Sequence, residues 1–86
     1  MPEISRFLGI VVAMYFREHN PPHFHVIYNE YRAEIDIKEL TVLEGNLPPK
    51  VRELVVEWAE LHREELLKNW DLMQANQKFN KIQPLV

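Results

Sequence analysis

The chain changes character once, at Gly45-Asn46-Leu47-Pro48-Pro49. Before that point β-branched and aromatic residues dominate; after it Leu, Glu, Lys and Arg take over. Branched side chains suit a pleated backbone, whereas straight-chain residues lose little rotamer freedom in a helix. Strands followed by helix make an α+β protein, here a four-stranded, mainly antiparallel meander sheet packed on one long C-terminal helix. With 86 residues there is room for a single domain over 1–86, with strands within 8–44, a helix over about 49–77 and a tail over 78–86.

The strands can be placed more closely. Ile10 to Phe16 is apolar on both faces, as suits a central strand or one in an oligomer interface. His23 to Tyr28 and Tyr31 to Ile37 alternate around Asn29-Glu30, a two-residue hairpin connection in which Asn tolerates the positive φ required. Thr41 to Leu43 supplies the fourth strand. If Tyr28 faces Tyr31, then Phe24, Val26, Ala33 and Ile35 form the core side of the hairpin. On its other side His25 stands across from Glu34, His23 from Asp36 and Ile27 from Arg32.

Pro48 or Pro49 suits the first turn of the helix. Val51, Leu54, Val55, Trp58, Leu61, Leu66 and Met73 share an apolar stripe, and Val56 and Leu67 on the far side offer material for a homodimer contact. Phe79, Ile82 and Leu85 of the tail are expected to fold back and pack. A chain of this size buries roughly 60–65% of the surface its unfolded form exposes, so a partner contact would help stability.

Composition excludes several kinds of chemistry. There is no cysteine, hence no disulfide, thiolate nucleophile or Cys-ligated zinc, and any metal must be held by nitrogen and oxygen. The net charge of −3 counts against non-specific nucleic-acid binding, which needs phosphate neutralisation by Lys and Arg. The longest apolar run, Gly9 to Phe16, is too short to cross a bilayer, and Met1-Pro2-Glu3 has no signal-peptide character, so a cytoplasmic protein with no membrane partner is expected.

Chemistry concentrates in Glu18-His19-Asn20-Pro21-Pro22-His23-Phe24-His25, which carries three of the four histidines. Imidazole is the side chain whose charge changes nearest neutral pH and the commonest metal ligand. Two prolines stiffen the entry to His23. A carboxylate beside an imidazole fixes its tautomer and favours its charged form, as acid–base work and metal ligation both require. The bland alternative is an ordinary cross-strand pair worth roughly 0.2–1 kcal/mol. On the helix, His62, Glu65 and Asn69 fall inside the arc that should be apolar and need polar partners. A buried His–Glu pair meets that need, and so does a composite site of His23, His25 and His62.

Ile4-Ser5-Arg6-Phe7, Gly9-Ile10, Met14-Tyr15 and His19-Asn20-Pro21-Pro22-His23-Phe24-His25 resemble a bacterial family catalogued as a domain of unknown function, number four-one-six-zero. Gly45-Asn46-Leu47-Pro48, Glu57-Trp58-Ala59, His62-Arg63-Glu64-Glu65-Leu66, Asn69-Trp70 and Ile82-Gln83-Pro84-Leu85 extend the likeness over nearly the whole chain. The resemblance implies a small bacterial protein, with labels such as toxin–antitoxin-like or transcriptional regulator, often encoded beside another small protein that would be its partner. It carries no established active site.

Three functions follow as expectations. The first is a toxin–antitoxin-like component that cleaves RNA or handles phosphates. His23, His25 and His62 would be its catalytic groups, Arg17, Arg32 and Arg63 would bind phosphate, and Asp36, Glu34 and Glu65 would support the histidines. The second is a non-catalytic regulatory or protein-binding module that uses edge strands, Val56 and Leu67. The third is a zinc or nickel site on His19, His23 and His25, with Asp36 as a further ligand.

Overall fold

The structure, a computed structural model, describes residues 2–86. The described residues form β1 (Glu3–Phe7), β2 (Ile10–Ala13), β3 (His23–Tyr28), β4 (Tyr31–Asp36), β5 (Val42–Asn46), α1 (Pro49–Leu61) and α2 (Arg63–Gln74). The strands build an antiparallel sheet in the order β1-β2-β3-β4-β5. The α+β class and the meander hold, but there are five strands rather than four and two helices rather than one.

The extra strand is β1. Its five residues are short and mixed in polarity, which hides them from a periodicity argument. The hairpin from β1 to β2 turns at Leu8-Gly9, both at positive φ (52° and 77°), the backbone that matches the twist of flanking strands. The other strands also move: β2 stops at Ala13 instead of Phe16, and β5 runs over Val42–Asn46 instead of Thr41–Leu43.

The helical half breaks at His62, whose φ of −122° and ψ of 23° lie outside the helix. Its backbone N–H donates to the Ala59 carbonyl at 3.2 Å, a tighter turn than the α-helical one. No Pro or Gly marks the spot. The ring of His62 lies 5.5 Å from that of Trp58, and its Nδ1 stands 2.6 Å from Glu65 Oε1, so the side chain braces the bend. The break resets the helical phase. Leu61, expected in the apolar stripe, is 68% exposed, while Leu67, expected on the far side, packs against the core and Trp70 is buried.

Trp58 centres the core. It is fully buried between the sheet and α1, with Phe7 and Phe24 at ring distances of 5.7 and 6.1 Å. Burial of a side chain of this size stabilises by roughly 3 kcal/mol, so the fold depends on it more than on any surface pair. Its Nε1–H donates to the Gln83 carbonyl at 2.8 Å and holds the tail. Asn69, also buried, brackets Asn80: its side-chain amide donates to the Asn80 carbonyl and its oxygen accepts from the Asn80 N–H. Ile82 N–H then donates to the Ile4 carbonyl. The tail thus straps the outer edge of β1 to the helices, with Phe79, Ile82 and Leu85 packed as expected. No helix among the described residues is long and apolar enough to cross a membrane.

Gly45 sits at φ +81° in β5, beside an irregularity in the β4–β5 pairing. A Cβ there would lie 2.1 Å from the Arg32 carbonyl oxygen, a backbone atom that cannot swing away. Gly45→Ala is therefore expected to cost about 3 kcal/mol and lower the melting temperature by more than about 10 °C in a thermal denaturation scan. An unchanged melting temperature would contradict this account of β5.

Candidate metal centre

The register of the β3–β4 hairpin puts Phe24, Val26, Ala33 and Ile35 in the core and turns His25 and Glu34 to the opposite side. This is the pairing expected from the Asn29-Glu30 turn, with Asn29 at φ 52° and no bulge. The rings of His23 and His25 stand 5.2 Å apart.

The connection from β2 to β3 brings Glu18 back over the start of β3. Its position is held at several points. Gln74 Nε2 donates to the Glu18 carbonyl at 3.1 Å, and Ile37 N–H donates to the Pro22 carbonyl at 3.0 Å. Trp70 lays its ring 5.3 Å from His23, and Tyr15 meets His25 edge-on at 4.6 Å. α2 therefore covers the histidine loop, and the broken helix directs it there.

One atom of Glu18, one of His23 and one of His25 lie within 4.8 Å of one another. Glu18 Oε1 is 2.5 Å from His25 Nε2 and 3.3 Å from His23 Nε2, and Glu34 Oε1 is 3.6 Å from His23 Nε2. His23 Nδ1 lies 2.8 Å from the Pro21 carbonyl. A carbonyl only accepts, so Nδ1 carries a proton and donates it. In the neutral ring Nε2 is then a lone pair. That atom is buried and has no hydrogen-bond partner among the described residues, and the side chain is 6% exposed.

A lone pair beside two carboxylates sets acceptors against acceptors. An unsatisfied buried polar group costs about 1–3 kcal/mol, more than the roughly 0.2–1 kcal/mol an ordinary cross-strand pair contributes. With a neutral His23 ring the arrangement is therefore destabilising. A positive centre between the three groups, either a proton or a metal cation, resolves the conflict. Edges of a tetrahedron with zinc-like bonds of about 2.05 Å measure about 3.3 Å, so the two longer separations suit a shared ion. The His25–Glu18 contact would have to open by somewhat less than 1 Å, a carboxylate rotation.

The expected site residues divide accordingly. His23, His25 and Glu34 come together. His19 is exposed and stands outside the cluster. Asp36, though across from His23 in register, turns away: its Oδ1 accepts from the Lys38 and Glu39 N–H groups and shapes the turn after β4. His62 and Glu65 pair with each other at the helix break, so the composite of His23, His25 and His62 does not form. The arginines scatter: Arg17 is exposed in the loop, Arg32 lies on the open side of β4, and Arg63 Nε donates to the Ile37 carbonyl. Sequence reasoning did not count Glu18 among the site residues. Its one signal was its place at the head of the histidine stretch, because nothing local shows that the loop folds back seven residues to His25.

A family profile described as "Domain of unknown function (DUF4160)" matches residues 9–71, most of the chain and all of the cluster. The match leaves β1 and the tail strap outside it. No curated protein and no solved structure matches the chain.

The geometry fixes two different tautomers. In metal-free protein at mildly alkaline pH, nitrogen-detected histidine NMR is expected to show His23 protonated at Nδ1 and bare at Nε2, and His25 protonated at Nε2 towards Glu18. A His23 ring protonated at Nε2 alone would contradict the hydrogen bond to Pro21.

Proposed function

The chain belongs to the DUF4160 family, and from that starting point we propose that it is a divalent-metal protein. Nε2 of His23, Nε2 of His25 and the Glu18 carboxylate hold the ion, with Glu34 as a further carboxylate 3.6 Å from His23 Nε2. The observation that carries this reading is the buried, unpartnered His23 Nε2 facing two carboxylates. The hydrogen bond from His23 Nδ1–H to Pro21 is the outer contact that ligating histidines characteristically make, because it fixes tautomer and ring orientation. A set of two imidazoles and one or two carboxylates suits zinc, iron, manganese or nickel.

The metal-free RNA-cleaving reading has less support. A general base must present its nitrogen to substrate, and His23 Nε2 is buried beneath Trp70. The three arginines do not converge, and carboxylates crowd the histidines. A toxin–antitoxin-like or regulatory role in the cytoplasm, with a small neighbour-encoded partner or a second copy of the chain, stays within the proposal. In its favour, β5 ends the sheet with no strand on its outer side among the described residues, and its residues are mostly exposed.

Calorimetric titration with zinc is expected to show one equivalent bound. Glu18→Gln and His23→Ala should each weaken binding at least about 100-fold, while His19→Ala and His62→Ala leave it within about twofold. Binding should release protons and weaken on acidification, because the ligating imidazoles must be neutral. At about 100 times the dissociation constant, zinc should add about 2.7 kcal/mol and raise the melting temperature by about 10 °C or more. Binding that survives His23→Ala unchanged, or equal losses in His19→Ala, would overturn the assignment.

A further inference from the structure

The metal position has one closed side and one open side. His23 is 6% exposed at the back, whereas Glu34 is 34% exposed at the front. In front lies a groove of about 400 Å3, bordered by Tyr15, His25, Ile27, Arg32, Glu34 and Glu44. That volume is in the range of small-molecule sites, which combine apolar walls with a few placed polar groups. His25 belongs both to the groove and to the cluster, and Glu34, which also lines the groove, lies 3.6 Å from His23 Nε2, so the groove opens beside the metal position.

Arg32 is the groove's cation. Among the described residues its guanidinium makes no ion pair and donates no hydrogen bond, unlike Arg6 and Arg63. A guanidinium fork recognises a carboxylate bidentately. Arg32 pairs with Ile27 across the hairpin, and the next position on the same side pairs His25 with Glu34. Residues two apart on a strand are separated by about 7 Å, which sets the span from anchor to metal. Glu34 faces the metal position, leaving Glu44, its exposed neighbour across β4–β5, as the carboxylate on the outer rim. A compact, multiply charged anion at the metal would meet Glu18, Glu34 and Glu44 together. An extended ligand that keeps one carboxylate at Arg32 brings at most a single charge to the metal end.

We propose that the groove binds a small linear carboxylate, its carboxylate clasped by Arg32 and an oxygen at its other end coordinated to the metal. This inference rests on the metal-binding reading above. Tyr15 and Ile27 line its apolar middle, and Glu44 disfavours phosphate-like dianions.

Cobalt(II) tests both levels, because its visible absorption reports a change of ligand. Cobalt-loaded protein is titrated separately with succinate, which can span the site, and with acetate, which can only occupy the metal. The expected result is a spectral change with succinate at a concentration at least about tenfold lower than with acetate. In Arg32→Ala and in Arg32→Gln that advantage should disappear, so that the two titrations coincide. Arg32 is exposed, and agreement between the two variants separates loss of the guanidinium from loss of fold. No spectral change with either anion means a coordinatively closed metal and overturns the groove proposal alone. Equal succinate and acetate curves in the unaltered protein, or an undiminished succinate advantage in both variants, also overturn it. Failure to bind cobalt, with zinc binding absent as well, overturns the metal reading itself.

Discussion

The hydrogen bond from His23 Nδ1–H to the Pro21 carbonyl is the contact on which the site depends. It decides which ring nitrogen keeps its lone pair, and that nitrogen lies 3.3 Å from Glu18 and 3.6 Å from Glu34. The proton on Nδ1 leaves Nε2 bare, and neither carboxylate, at 3.3 and 3.6 Å, stands in hydrogen-bond geometry to that atom. Because the proton is on Nδ1, the cluster is an electrostatic question with a positive charge as its answer.

The rest of the fold holds that ring in place. β3 lies third in the sheet, braced on either side by β2 and β4, so His23 and His25 ride on paired backbone rather than on a loop. The loop that delivers Glu18 is tied at its carbonyl to Gln74 and at Pro22 to Ile37. α2 presents Trp70 to His23 and Asn69 to the tail, both because the helix bends at His62. His62 therefore has a structural part: it turns the second helix over the site it was expected to join. The tail strap, pinned to Trp58, Asn69 and Ile4, keeps α2 against the sheet edge.

Much of the architecture can be read from residue patterns. The hairpin register follows from alternation and from Asn29, since a slip of one residue would put His25 in the core. The helix start follows from Pro48-Pro49. What could not be read depends on long-range contacts. β1 has no periodicity of its own and exists because β2 and the tail pair with it. The break at His62 carries no breaker residue, so the periodicity of one continuous helix places Leu61 inside and Leu67 outside, the reverse of where the bend puts them. In the site, histidine spacing on a strand was sufficient for His23 and His25. Cross-strand register also points to two carboxylates: Glu34 does stand beside His23, whereas Asp36 is committed to its own turn and Glu18 arrives through loop geometry.

X-ray absorption at the zinc edge of stoichiometrically loaded protein tests the central claim most directly. The account predicts a first shell with two imidazole nitrogens at about 2.0–2.1 Å and one or two carboxylate oxygens at about 2.0–2.2 Å. It also predicts that the imidazole outer-shell signal halves in His23→Ala. A shell of oxygen alone, or an imidazole signal untouched by that substitution, would contradict it.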